Sequence, residues 1–161
     1  MKIAVCIKRV PDTATRLNFS GDGTSLDQSE VQWIISPYDE FAIEEGLRLK
    51  EKVGDATVTV ITCGPAASTK ELRQALGMGA DDAVHITSES DLDPAQIAHC
   101  LSSVLKDRGD DIVLFGRQSA DAQGSQMGAL VASQLDRPFA NNIAKLDVEG
   151  SEVKIERDVD G

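Results

Sequence analysis

The chain is poor in the residues on which several classes of protein depend. Of its 161 residues, three are cysteine and two are histidine. The cysteines, Cys6, Cys63 and Cys100, form no CxxC pair. Neither a disulfide scaffold nor a clustered Cys/His metal site is therefore expected, and a reducing compartment is. No apolar run approaches the ~20 residues of a membrane span. The run Ile3 to Ile7 ends at Lys8, too early for the apolar part of a secretory leader. These readings predict a cytoplasmic chain without membrane insertion. Basic residues are also scarce, 16 against 27 acidic, for a net charge of −11. Binding to a phosphate backbone needs the opposite sign, so no nucleic-acid partner is expected. The acidic surplus suits a solvated surface or docking to a basic face. GxGxxG, GxxxxGK[ST] and HExxH are all absent, which removes the usual dinucleotide fingerprint, the NTPase P-loop and the zinc-protease helix.

What is present is a core and a regular alternation. With 41% hydrophobic residues, a chain of this length can bury roughly 70% of its unfolded surface as one domain, taken here as residues 1–161. Ile3 to Ile7 reads as a strand buried on both faces, broken by Pro11-Asp12. Residues 12–35 are polar, with Gly21-Asp22-Gly23 marking a small hairpin. Ser36-Pro37-Tyr38-Asp39 opens a helix, with Ser36 as cap, Pro37 in the first turn and Asp39 closing a capping box. Phe41, Ala42, Ile43, Gly46, Leu47 and Leu49 supply its apolar side through about Lys52. Thr57 to Ile61 is a second strand, ended by Cys63-Gly64-Pro65. Ser68-Thr69-Lys70-Glu71 reads as another capping box, opening a helix to about Met78 that Gly77 and Gly79 stop. Ala83 to Ile86 is a third strand. Asp93-Pro94 caps a helix from Ala95 to Lys106, with Gly109 as its stop. Ile112 to Phe115 is a fourth strand, and Ala129 to Leu135 a helix ended by Arg137-Pro138. Ile143 to Val148 and Val153 to Arg157 form a hairpin around Glu149-Gly150-Ser151. Strands alternating with helices of this length predict an α/β fold: a doubly wound, mainly parallel sheet with helices on both faces, plus a C-terminal β-hairpin. A chain stopping at Asp160-Gly161, directly after a strand, is expected to be C-terminally truncated.

One stretch points to a ligand. Gly116-Arg117-Gln118-Ser119-Ala120-Asp121-Ala122-Gln123-Gly124-Ser125-Gln126-Met127-Gly128 joins the fourth strand to a helix. Backbone N–H groups at a helix start lack intrahelical partners, and the dipole there favours negative charge. In a doubly wound sheet, ligands bind beyond the carboxyl ends of the strands where strand order reverses. The segments Lys8 to Asp39, Cys63 to Ser68 and Gly116 to Gly128 should all emerge on that edge. A nucleotide or another phosphate is the expected ligand. His85, His99 and Cys63 have no evident catalytic partner, so no catalytic residue is assigned. Glu44-Glu45 reads as a solvated helix face, and Trp33 as either a core residue or an anchor for a partner.

Six strings in order then resemble the beta-subunit family of electron transfer flavoproteins. They are Val5 to Asp12, Ser36 to Glu51, Cys63-Gly64-Pro65, Leu76 to Asp81, Gly116-Arg117-Gln118 with Asp121 and Gln126, and Glu156 to Gly161. The resemblance implies the adenine nucleotide alpha hydrolase-like version of this fold. It also implies an electron-carrier subunit rather than an enzyme, paired with an alpha subunit that holds FAD. Electrons would come from acyl-CoA and related dehydrogenases of fatty acid oxidation and pass to a membrane quinone oxidoreductase. The beta subunit would hold AMP as a structural part, or a second FAD in bifurcating relatives. Carried over by position, that site would use Cys6, Ser36, Pro37, Tyr38, Asp39, Cys63 and the loop Gly116, Arg117, Gln118, Ser119, Ala120, Asp121, Ala122, Gln123, Gly124, Ser125 and Gln126. Two positions depart from the family pattern. Ser36 stands where Asn is frequent, and Gln123 where a second Asp is frequent. A stand-alone adenine-nucleotide sensor of the universal-stress type shares the architecture, but its glycine spacing is not matched here. An ATP-cleaving ligase would need a serine- and glycine-rich loop where this chain has Lys8-Arg9-Val10-Pro11.

Overall fold

In a computed structural model, described for residues 1–16, 18–24 and 26–159, the chain forms ten strands and four α-helices among the described residues. Leu17 and Ser25 of the expected hairpin region, and Asp160 and Gly161 of the closing string, lie outside them. The central sheet contains β1 (Lys2–Cys6), β6 (Thr57–Gly64), β7 (Asp82–Thr87) and β8 (Ile112–Phe115) in the order β7-β6-β1-β8. All three pairings are parallel. Successive residues of β1 point to opposite faces. Ile3 and Val5 pack with Ile43 and Leu49 of α1 (Pro37–Val53) and with Leu72 and Ala75 of α2 (Thr69–Met78). Ala4 and Cys6 pack instead with Ala98, Leu101 and Leu105 of α3 (Pro94–Arg108) and Val131 of α4 (Met127–Gln134). The sheet is thus covered on both faces. From β1 the chain winds outward through β6 to β7, then returns to place β8 on the other side of β1. Crossovers of one hand oblige the helices to change face when the direction of winding reverses. The reversal, and with it the expected ligand crevice, falls between β1 and β8.

The remaining strands are peripheral. β2 (Arg9–Pro11) pairs with β5 (Trp33–Ile35), and β3 (Asn18–Phe19) with β4 (Leu26–Asp27). Pro11 does not break the chain away as the sequence reading expected. It lies in β2 opposite Trp33, in a two-stranded ribbon whose edges tolerate a missing donor. β9 (Ile143–Glu149) and β10 (Glu152–Arg157) form the C-terminal hairpin around Gly150, whose φ of 62° suits the turn. The hairpin docks on α1: Leu146 is buried in the core beside that helix, and the Arg48 guanidinium donates to the Leu146 carbonyl.

Element ends follow local chemistry in part. α3 has the cap expected of Asp93, which Gln96 reciprocates to complete a capping box, and stops at Gly109 in the left-handed region. The two serine boxes do not form. Neither Ser36 nor Ser68 makes a capping bond, and both hydroxyls are buried without a partner. Their acidic counterparts serve tertiary partners instead: Asp39 binds backbone just beyond two strands, and Glu71 faces Arg9. Several boundaries also differ; β1 ends at Cys6 and α3 runs on to Arg108. β6 runs on through Cys63 and Gly64, α2 includes Gly77, and α4 begins two residues before Ala129. Phe41, read as part of the apolar side of α1, is 71% exposed; Asp39, Ala42, Ile43, Gly46 and Leu49 form the buried face.

Candidate functional site

The crevice at the reversal point is organised by one carboxylate. Asp39, in the first turn of α1, accepts the backbone N–H of Lys8 at 2.8 Å and that of Gly116 at 3.1 Å. Lys8 follows β1 and Gly116 follows β8, so a single side chain bridges the two strands that flank the switch. Backbone N–H groups just beyond a strand have left the ladder and need other acceptors. Gly116 lies so close to the α1 start that a Cβ there would sit 2.6 Å from the Tyr38 carbonyl carbon and 2.7 Å from the Asp39 nitrogen.

Burial pushes the Asp39 carboxyl up to about 7, against the pull of the Lys8 and Gly116 N–H groups and the Lys8 charge. The folded state therefore binds more protons than the unfolded state between the ordinary value of 3.8 and about 7. Stability from this group is complete below that interval and is lost as pH rises through it. Asp39→Asn removes the titration and leaves one of the two N–H groups without an acceptor, a cost of about 1–3 kcal/mol. Urea unfolding of both proteins across this range is expected to show the wild type's advantage shrinking with rising pH, by on the order of 1 kcal/mol per unit. A gap independent of pH would show that Asp39 does not titrate there.

Lys8 closes the crevice from the other side. Its ammonium pairs with Asp121 at 2.6 Å. Burial raises the Asp121 carboxyl, but bonds from Lys8 and Ser119 outweigh it and hold the group below its usual range. Within the loop, Ser125 donates to the Gln118 side-chain oxygen at 3.1 Å. Gln123 and Ser125 both adopt left-handed backbone, with φ of 51° and 50°. Few non-glycine residues take this conformation, at some cost in strain. α4 begins directly beyond, with no side-chain cap from Gln126. Arg117 makes no hydrogen bond or ion pair among the described residues.

A groove of about 1270 Å³ opens here. Of the expected site residues, it brings together Cys6, Tyr38, Asp39, Cys63, Gly116, Arg117, Gln118, Ser119, Ala122, Gly124, Ser125 and Gln126. Ser36, Pro37, Ala120, Asp121 and Gln123 do not line it. Ser36 lies fully buried at the α1 start, and Asp121 acts through Lys8. The expected convergence is uneven, since Cys63 alone of the segment Cys63 to Ser68 reaches the groove. Sequence reasoning missed the wall formed by Phe139, Asn141 and Asn142, and that formed by Leu92 and Ile97. These residues follow α4 or flank the start of α3, with no motif to mark them.

The architecture defines a doubly wound α/β domain with a polar-mouthed crevice at its switch point. The electron transfer flavoprotein domain matches residues 24–161. The chain belongs to the electron transfer flavoprotein family. It is 35% identical to the electron transfer flavoprotein subunit beta of Bradyrhizobium diazoefficiens over 161 residues, which cover 100% of this chain and 65% of that relative. It is 42% identical to the subunit beta of Bacillus subtilis over 164 aligned residues, covering 100% of this chain and 63% of the relative. With the subunit beta of Homo sapiens the identity is 34% over 165 residues, covering 100% and 65%. The chain thus spans about 65% of the length of the curated relatives it matches. Among the described residues, no helix is long and apolar enough to cross a membrane.

Proposed function

We propose that residues 1–161 form one nucleotide-binding unit of an electron transfer flavoprotein beta subunit, with AMP as a structural ligand of the switch-point crevice. The observation that carries this reading is the Asp39 brace, which ties the ends of β1 and β8 and holds the crevice at a set width. The lining suits a nucleotide. Phe115, Met127 and Phe139 offer apolar surface to a base, while Gln118, Ser119 and Gln126 offer polar edges. At the loop, the unpaired Arg117 and the uncapped start of α4 favour an anion. In this reading the brace orients the loop, Lys8 holds Asp121 away from the phosphate, and the chain makes no covalent contribution.

The unit would support an alpha subunit carrying FAD, the group that accepts and donates the electrons. The dimer would take electrons from acyl-CoA and related dehydrogenases and pass them to a quinone oxidoreductase. A second reading places FAD in this same crevice, as in bifurcating relatives, and the groove volume accommodates either ligand. Nucleotide released by denaturing the purified protein, identified by mass and absorbance, tests both. Stoichiometric AMP supports the first reading and flavin the second. An empty, stably folded protein that fails to bind either added ligand would overturn the site assignment.

A further inference from the structure

Two ties of different kinds join the end of β1 to the segment that follows β8. The inner tie is the Asp39 carboxylate, which is 6% exposed and holds the backbone N–H groups of Lys8 and Gly116. The outer tie is made by side chains at the surface. The Lys8 ammonium and the Asp121 carboxylate meet at 2.6 Å, with side chains 44% and 33% exposed. Residues 118–126 depend on that outer tie. Among the described residues, their other hydrogen bonds stay within the stretch or enter α4, as with the Gln123 N–H on the Ser119 carbonyl and the Ser125 hydroxyl on Gln118. Gln123 and Ser125 hold left-handed backbone at some cost in strain. The loop is thus fixed at its Gly116 root, strained beyond it and clipped by one exposed ion pair.

We propose that the Lys8–Asp121 ion pair is an electrostatic latch: closed, it draws residues 118–126 against the end of β1, and released, it lets them swing away from the crevice mouth. Chemistry decides which tie gives. A buried carboxylate on two backbone N–H groups cannot exchange them for water without opening its surroundings. An exposed pair loses little to water and is weakened further by salt. Lys8 lines the groove together with Gln118, Ser119 and Gln126 of the loop, so movement of the loop changes the width of the mouth. Exposed pairs of this kind shift an open–closed balance by about two- to fivefold. That the ion pair holds the loop follows from these contacts alone; that the loop gates a nucleotide rests on the reading proposed above.

Arg117 supplies the reporter, since it is exposed, lies at the root of the loop and makes no hydrogen bond or ion pair among the described residues. An arginine-specific protease acting on the folded protein at low ionic strength is expected to cut after Arg117 about two- to fivefold faster in Lys8→Met and in Asp121→Asn than in the wild type. Salt at about 0.5 M should erase that difference. Joining Lys8→Asp with Asp121→Lys restores opposite charges and should return the wild-type rate, which a loss of packing or of overall stability would not do. Cuts at Arg48 and Arg73, inside α1 and α2, report global unfolding and should stay equal in every variant. Release of labelled AMP should quicken in the same order as cutting after Arg117. Equal cutting there in the wild type and both single variants, or a charge-swapped protein cut as fast as they are, would overturn the latch. Cutting as expected in a protein that binds no nucleotide would keep the latch and overturn the nucleotide reading alone.

Discussion

Replacing Gly116 by alanine is expected to lower stability by about 2–5 kcal/mol and the melting temperature by about 5–15 °C. The added Cβ would lie 2.6 Å from the Tyr38 carbonyl carbon and 2.7 Å from the Asp39 nitrogen. Real Cβ atoms do not approach backbone so closely. The atoms in the way belong to the first turn of α1, which its own hydrogen bonds and the core contacts of Ile43 and Leu49 hold in place. Only the end of β8 can yield, and in moving it takes the Gly116 N–H from Asp39. The cost is overpacking together with a part-buried donor and acceptor left incomplete. Gly124→Ala is the matched control in the same loop. Its Cβ would meet only the Gln126 side chain, at 3.4 Å, so a change within about 0.5 kcal/mol is expected. Thermal and urea unfolding of both variants check the prediction; equal losses would show that the close approach to α1 is not the cause. On the reading proposed above, Gly116→Ala should also retain less nucleotide, because it parts the two ends of the crevice floor.

The second large effect lies under β2. Glu71, in the first turn of α2, is 1% exposed and faces the Arg9 guanidinium, with Nε and Oε2 3.2 Å apart. The alignment falls short of a hydrogen bond, so Arg9 Nε and both carboxylate oxygens lack hydrogen-bond partners. The guanidinium also stacks 4.2 Å over the Trp33 ring, which explains that tryptophan as part of a peripheral cluster. Arg9→Met would leave a carboxylate buried without its counter-charge, at a cost of about 3–5 kcal/mol. Arg9→Met combined with Glu71→Leu removes both charges, and most of the lost stability is expected to return, because an imperfectly bonded buried pair gains little over apolar packing. A double-mutant cycle by urea unfolding reads this directly. Additive losses would show that the two groups do not depend on each other.

The elements least affected by distant contacts were legible in the sequence. The Asp93 cap read at the start of α3 formed, and Gln96 completes it into a capping box, because its partners lie three residues apart and nothing else competes for them. The same motif misled at Ser36-Asp39 and Ser68-Glu71. A carboxylate in a first turn serves its own helix only when no stronger claim is made on it, and here β1, β8 and Arg9 make one. Phe41 misled for a related reason. Its position in the helical period is right for a buried stripe, but the face it occupies opens on the groove rather than on the sheet. Most of the expected loop lines the crevice, while Ala120, Asp121 and Gln123 do not, a distinction that depends on the loop's path and not on its composition.

The sequence by itself determined the order of the four central strands and four helices, the parallel sheet and the likeness to electron transfer flavoprotein beta subunits. Periodicity, turn residues and short ordered strings are local properties, readable without coordinates. Only the tertiary structure decided that strand order reverses between β1 and β8, that Asp39 spans that reversal, and that Phe139, Asn141 and Asn142 complete the wall. Which segments meet follows from how the helices distribute over the two faces of the sheet, and which polar group answers which follows from where burial has removed water as the competing partner.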